Sequence, residues 1–421
     1  MKKFFLFVTI LCMIRFNVFG AGFALYEMGS GATALGNSIT AFPIDVSILY
    51  YNPAGISFLN SNSVMAGVQL ILPQSKFAPA MPIPGGDINE TESQIFNPIH
   101  FYFNYKVNPK LSIGAGLFNP FGLGMDWKNK DTFIGRFVCY YVNLEFFDFA
   151  FDVSYKITDN LSFGGGIDLF KGSVDLDRNV TLYPHNLNSE AGKIELSGQS
   201  GIVPSFNVGI FYKIDKLNVG LSYRHGANIK FDDGDAKFFY FDNVAGRILQ
   251  NMYGDQKVNT EIDLPSLLSV GLAYEVFDKL TVSGSFNYVT WSSFDKLVID
   301  FQKDPIDTEV IENYNDVFNI RLGCQYILTD LVTLRFGYMY DQTPQPVESM
   351  SPLLGDGNRN DFSFGIEYKF AKNMSVSFNY MSVIFGERNT LKNGKPAQYD
   401  GLDAAYHSYV DIFGVSYNYN F

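Results

Sequence analysis

The side chains best able to bind a metal or move a proton are the four histidines His100, His185, His225 and His407. Their spacing suits neither task. A helical zinc site needs two histidines four residues apart with a glutamate between them, and no such run occurs. The glycine-rich stretch Gly29-Ser-Gly-Ala-Thr-Ala-Leu-Gly36 lacks both the glycine spacing and the preceding strand of a dinucleotide loop. No G-x-S-x-G elbow is present to present a nucleophilic serine. The expectation is no catalysis, no metal and no cofactor. What the chain offers is partition chemistry: 41 Phe and 26 Tyr bring aromatics to 16%, while charged residues reach only 18%, against about a quarter in soluble domains.

The elements that carry these aromatics show in a repeated turn. Tyr105-Lys-Val-Asn-Pro-Lys-Leu-Ser-Ile113 has counterparts starting at Tyr155, Tyr212, Tyr274, Tyr326 and Tyr368, five of one length and the third one residue shorter. Each reads as a tight β-hairpin turn. Between the turns, apolar and polar residues alternate. Leu280, Val282, Gly284, Phe286 and Tyr288 interleave with Thr281, Ser283, Ser285 and Asn287; the runs from Val332 and Met374 do the same. Period two gives each strand one apolar and one polar face. Six turns join twelve strands; one more at about Ser63 to Phe77 and one at about Ala405 to Phe421 make fourteen, an even number as in bacterial outer-membrane barrels. Tight turns at one end and long connections at the other (about 79–94, 177–200, 232–259, 296–313, 343–359 and 387–404) fit the same pattern. Strands this long should project above the membrane.

Residues 1–20 read as a secretory signal: Lys2 and Lys3, the apolar run Phe4 to Ile14, then Gly20-Ala21. Its removal takes away Lys2, Lys3 and Arg15 and no acid, so the net charge moves from −12 to −15. That excludes the basic footprint of a nucleic-acid partner. Cys139 and Cys324, the cysteines left in the mature chain, are expected as isolated barrel-wall thiols. Residues 21–62 are not strand-like. They are rich in small residues and poor in charge, as a plug inside a confined lumen would be. Within the connection 232–259, Phe239, Val244, Ile248 and Met252 are spaced as one face of a helix between Phe238 and Tyr253, which would expose an apolar patch.

Here a family resemblance becomes specific. Ala21-Gly22-Phe23, the run Gly29 to Gly36, and Asp45 followed by Tyr51-Asn52-Pro53-Ala54-Gly55 resemble the hatch of the FadL-type (OMPP1/FadL/TodX) outer-membrane transporters of long-chain fatty acids and hydrophobic compounds. Asn119-Pro-Phe-Gly-Leu-Gly-Met-Asp-Trp127 resembles that family's kinked third strand. Leu264-Pro265, Thr290-Trp-Ser-Ser-Phe294, Tyr340-Asp-Gln-Thr-Pro-Gln-Pro346 and the closing Tyr-Asn-Phe match in order. The resemblance spans essentially the whole mature chain. It implies an all-β transmembrane barrel of 14 antiparallel strands over 63–421, its lumen plugged by an N-terminal hatch of short helices over 21–62. The chain would be a monomer in the outer membrane of a Gram-negative-type bacterium, in contact with its lipid and inserted by the barrel-assembly machinery, which commonly reads a terminal aromatic such as Phe421. The resemblance further implies passive uptake of hydrophobic small molecules, long-chain fatty acids first, with sideways exit through a gap in the wall. Phe23 would reach into an internal pocket, Asn52, Pro53 and Ala54 would sit by the gap, Gly122 would lie in the kink, and Arg178 would face a ligand carboxylate. A second basic partner, which the family pattern has near Val310, is absent here. The alternatives are an aromatic-hydrocarbon channel of the same fold, a general porin with an open charge-lined pore, or a surface adhesin working through its loops.

Overall fold

The computed structural model describes residues 22–79, 88–182, 189–303, 308–390 and 402–421. The leader expected over residues 1–20 lies outside them, as does His185. Fourteen strands run β1 (Ser63–Pro79), β2 (Ile99–Lys106), β3 (Leu111–Asp126), β4 (Tyr141–Lys156), β5 (Leu161–Thr181), β6 (Glu190–Gln199 and Val203–Ile214), β7 (Leu217–Arg224 and Ala227–Tyr240), β8 (Gln256–Leu264 and Leu267–Phe277), β9 (Leu280–Val289), β10 (Val317–Ile327), β11 (Val332–Asp341), β12 (Arg359–Ala371), β13 (Met374–Phe385) and β14 (Ala404–Asn420). Each pairs antiparallel with the next. β14 returns to β1 from Ser63↔Asn420 to Pro79↔Ala404, so the sheet closes on itself. The expected connections at 177–200 and 232–259 are largely strand. The outer halves of β5 to β8 continue as a paired wall, extended by the hairpin Lys296–Phe301 and Thr308–Ile311 before β10.

The alternation resolves inside out relative to a soluble protein. On β9, Ser283, Ser285 and Asn287 are buried while Val282, Phe286 and Tyr288 are exposed. Phe149, Phe151 and Val153 on β4, and Phe362, Phe364 and Ile366 on β12, also face outward. Only a solvent of hydrocarbon makes that arrangement favourable.

The five turns of equal length divide by one residue. In three of them a polar side chain in third place after the tyrosine holds a four-residue loop. Asn108 Oδ1 accepts from the Leu111 amide at 3.0 Å, and Thr158 and Thr329 Oγ1 accept from Leu161 and Val332 at 3.1 Å. Where Phe277 or Ala371 stands in that place, no such acceptor exists. The strand then continues two residues further, with a bulge before Phe277↔Leu280 and Ala371↔Met374.

The lumen is filled by residues 22–62, with short helices α1 (Ser30–Thr33) and α2 (Ile48–Tyr51) and a 3₁₀ turn at Pro53–Phe58. Almost every side chain here is buried. Hydrogen bonds tie it to the wall all round: Ser30 N to Ser416 Oγ at 2.9 Å, Gly36 N to Ser363 Oγ at 3.1 Å, Ser38 Oγ to Ser283 Oγ at 2.7 Å, and Tyr102 OH to Met28 O at 2.9 Å. Wall glycines allow backbone to lie on backbone. A Cβ on Gly337 would come within 1.9 Å of Gly36 N, whose own φ of +60° favours glycine. Gly337→Val is therefore expected to unseat the plug and raise vancomycin susceptibility of host cells by about tenfold, on the order of a 1.4 kcal/mol loss in seating; unchanged susceptibility would mean the plug does not seal the lumen.

Candidate functional site

The kink in β3 has a local cause. Pro120 has no N–H to give the ladder, and Asn119-Pro120 together oppose a single residue of β4, between the pairs Phe118↔Asp148 and Phe121↔Phe146. Asn119 replaces the lost bonds with its side chain. Its Oδ1 accepts from Ile99 N at 3.1 Å, and its Nδ2 donates to Phe146 O at 3.2 Å. Above Phe118 the ladder between β2 and β3 stops. The next links across this seam are the Glu92 amide to Asp126 O at 2.7 Å and the bridge Thr91↔Trp127. A cavity of about 440 Å³ opens between, lined by Leu25, Ile71, Phe96, Asn97, Phe121 and Gly122 among others. The Phe96 ring covers Gly124, where a Cβ would meet it at 1.9 Å.

The N-terminal chain supplies the missing partner of the kinked strand. Leu25 N donates to Pro120 O at 2.9 Å and Gly122 N to Phe23 O at 3.0 Å, either side of the antiparallel bridge Ala24↔Phe121. Gly22 is held at its other side: its N–H reaches Asp356 Oδ2 at 2.8 Å and its carbonyl accepts from Arg359 at 2.7 Å. Phe23 therefore has a fixed position. Its ring packs edge-on to Trp291 at 4.7 Å, Phe294 at 5.6 Å and Phe121 at 6.1 Å between centroids.

Beyond Phe23 lies a second cavity of about 90 Å³ inside the outer half of the barrel. Leu144, Leu176, Phe231, Ile262, Leu297 and Ile299 are among its walls, and Phe23, Leu123, Leu144 and Leu354 line both cavities. Phe23 is thus part of the partition between an apolar chamber and the seam in the wall. Among the described residues lining the chamber, none is basic and one is acidic, Glu312, which is 3% exposed. Burial pushes its carboxyl up to about 8.

The residues singled out from the sequence separate in space. Phe23 and Gly122 meet at the kink. Asn52, Pro53 and Ala54, expected beside the gap, lie instead against β4, β5 and β6. Asn52 Nδ2 donates to Ile210 O at 3.0 Å, and Ala54 O accepts from Ser154 and Ser162 at 2.9 and 2.8 Å. A Cβ on Gly164 would come 2.5 Å from Ala54 N. Their geometry is that of an anchor, an Asn-Pro turn bonded to the wall through its own polar atoms. Arg178 is half-buried on β5, two residues beyond Leu176, and is not among the residues lining either cavity. Cys139 is not on the wall but buried in the connection between β3 and β4; Cys324 is on β10 as expected. The external helix is α3 (Val244–Met252), shorter than the predicted segment, with Asn243 accepting from Gly246 N at 2.6 Å as its N-cap and Val244, Ile248 and Met252 exposed. Asp356, Arg359 and Glu312 carry no sequence signal of their own; they matter because of what they are buried against.

Residues 12–421 match the family described as "Outer membrane protein transport protein (OMPP1/FadL/TodX)". The chain belongs to this family. It is an outer-membrane β-barrel that transports hydrophobic substrates, and not an enzyme. Among its relatives, Outer membrane protein P1 of Haemophilus influenzae strain Rd is 25% identical, with 100% of both chains covered. The Long-chain fatty acid transport protein of Salmonella typhi is 26% identical over 98% of this chain and 97% of its own. The fold is shared with a Pseudomonas aeruginosa FadL homologue (TM-score 0.83, 20% identity, 95% and 100% covered) and with the Ralstonia pickettii toluene transporter TbuX (TM-score 0.70, 16% identity, 94% and 100% covered).

Proposed function

We propose that hydrophobic molecules enter the apolar chamber from outside, pass Phe23 when the N-terminal segment shifts, and leave sideways through the seam beside the kinked β3. The observation that carries this reading is the position of Phe23 between the two cavities, on a segment bonded to the strand whose ladder is interrupted. An apolar solute gains roughly 25 cal/mol per Å² on leaving water, so a path from chamber to bilayer needs no other energy source. Long-chain fatty acids, expected first from the resemblance, and monoaromatic hydrocarbons are the substrates named for relatives. The chamber, with no basic residue among its described lining, favours the uncharged class. An open porin fits poorly, since the lumen is filled.

The test is uptake of radiolabelled oleate and toluene by cells lacking their own transporter, with the intact chain or with residues 21–36 deleted. Uptake that needs the intact chain supports hatch-gated transport; no uptake of either label, with sugars entering freely, overturns it. Phe23→Ala removes three ring contacts, worth about 1 kcal/mol each, from the closed state. Apolar uptake is therefore expected to rise, with the open population shifted by about tenfold or more, while vancomycin stays excluded. A fall in toluene uptake in this variant would argue that Phe23 binds ligand rather than closing the path.

A further inference from the structure

Glu312 is an acid where nothing explains an acid. It sits in the segment leading into β10, lines the chamber, is 3% exposed, and its Oε2 finds no hydrogen-bond partner among the described residues. It is firmly placed: its N–H donates to Asp295 O at 2.8 Å and that of Tyr314 to Phe294 O at 3.2 Å, clamping the segment onto the residues beside the Phe23 ring cluster. The other titratable group of the described lining is the Tyr314 phenol. That phenol feels the charges of Asp356 and Arg388, and Arg388 is spent on the carbonyls of Gln345 and Asp356 at 2.9 and 3.0 Å.

A carboxyl in apolar surroundings with no cation is stable as the neutral acid, because burying the ion without a partner is far more costly. The rise to about 8 caused by burial agrees, leaving the neutral form in roughly tenfold excess at pH 7. A neutral carboxyl has one O–H to donate. Its described surroundings are mostly aliphatic and aromatic, with the Ser197 and Thr260 hydroxyls and the Tyr314 phenol elsewhere in the lining; none of them bonds Oε2, so a ligand oxygen can take that place.

We propose that Glu312 selects the ligand's polar end: it donates a hydrogen bond to an uncharged oxygen, so the chamber prefers apolar alcohols, phenols or carbonyl compounds to alkyl carboxylates. This rests on the chamber being the ligand site, and it names the substrate class within that reading. An alkyl carboxylate would bring a second ionisable acid beside the first with no cation to hold it. An alkylammonium ion would require Glu312 to ionise.

The experiment uses the full chain in lipid nanodiscs at pH 7, with 1-octanol, octanoate and octylammonium as probes and tryptophan fluorescence as the readout, Trp291 being in the ring cluster at Phe23. Octanol is expected to bind about tenfold more tightly than octanoate, the factor one buried hydrogen bond supplies. Glu312→Leu should weaken octanol binding by about that factor, since the donor is lost. Glu312→Gln, which keeps a neutral donor, should retain the preference for octanol, and Glu312→Lys should bring octanoate ahead. Preference of the unaltered protein for octanoate or octylammonium, octanol binding indifferent to Glu312→Leu, or no binding of any probe each overturns the proposal. Uptake of the same probes by cells separates the two readings: the binding order intact without uptake sinks transport and leaves Glu312 as assigned, whereas uptake with octanoate preferred does the reverse.

Discussion

Cells carrying an Ala24→Cys/Phe121→Cys variant are expected to lose hydrophobic uptake when oxidised, by tenfold or more, and to recover it on reduction. The site is chosen from the hydrogen bonds. Leu25 N to Pro120 O and Gly122 N to Phe23 O flank Ala24↔Phe121 and make it a non-hydrogen-bonded antiparallel pair. Such pairs hold their Cα atoms about 4.5 Å apart, inside the range a disulfide spans. The outer membrane faces an oxidising compartment, so the bond should form during assembly. It would fix the N-terminal segment to the kinked strand with Phe23 in the partition, and no population of the open state would remain to be selected by ligand.

The reduced double variant is the internal control, since it carries the same loss of the Phe121 ring. Tenfold loss corresponds to about 1.4 kcal/mol of bias against opening, far less than a covalent bond imposes. Uptake that is equal in oxidised and reduced cells, with the crosslink verified by mass spectrometry, would show that ligand leaves without moving residues 22–25. The lateral path would then have to open at Phe96, which covers Gly124 across the seam from the segment 91–98.

How much of this was legible in the sequence follows from what each feature depends on. The barrel was legible because strand period and turn chemistry are local: Ser283, Ser285 and Asn287 alternate with Val282, Phe286 and Tyr288 whatever surrounds them. That five turns of one sequence length divide into two structural kinds was also written locally, in Asn108, Thr158 and Thr329 against Phe277 and Ala371. The hatch was legible as composition, and Phe23 and Gly122 by resemblance. The place of Asn52-Pro53-Ala54 was not, because an Asn-Pro turn carries no sign of which wall strands it will meet; Gly164 and Gly209 receive it, and they lie over a hundred residues away. Glu312 and Asp356 sit in aperiodic connections, where an acid ordinarily means solvent. The extended β5–β8 wall and the residues around Leu297 and Ile299 make Glu312 internal, and Gly22, Thr343, Gln345 and Arg359 enclose Asp356.

The second large effect concerns what holds the plug to the barrel. Arg224 on β7 places Nη1 3.1 Å from Asp148 Oδ2 on β4 and also bonds Asp168 Oδ1 on β5, while Nη2 donates to the α2 carbonyl of Tyr50 at 3.3 Å. Both aspartate side chains are fully buried, and Asn207 Nδ2 adds a bond to Asp168 at 3.0 Å. The guanidinium also lies over the Tyr50 ring at 4.9 Å. One cation thus joins three strands to the hatch. Arg224→Met keeps the volume but leaves two carboxyl groups buried without their cation, a change that typically costs about 3–5 kcal/mol. The temperature at which the folded barrel is lost on heating in detergent is expected to fall by several degrees, since about 1 kcal/mol moves the midpoint by about one degree in a chain of this size. Vancomycin should enter more freely, because the Tyr50 anchor is lost with the charge. The decisive comparison is Arg224→Met with Asp148→Asn and Asp168→Asn together. With Asp148 and Asp168 neutral, and Asp152 the buried acid left in the cluster, the triple variant should regain much of the thermal stability, though not the bond to Tyr50, so the seal should stay weaker than the barrel. Equal loss in the single and triple variants would mean that Arg224 acts by packing on Tyr50 and Phe118 and that the ion cluster holds nothing together.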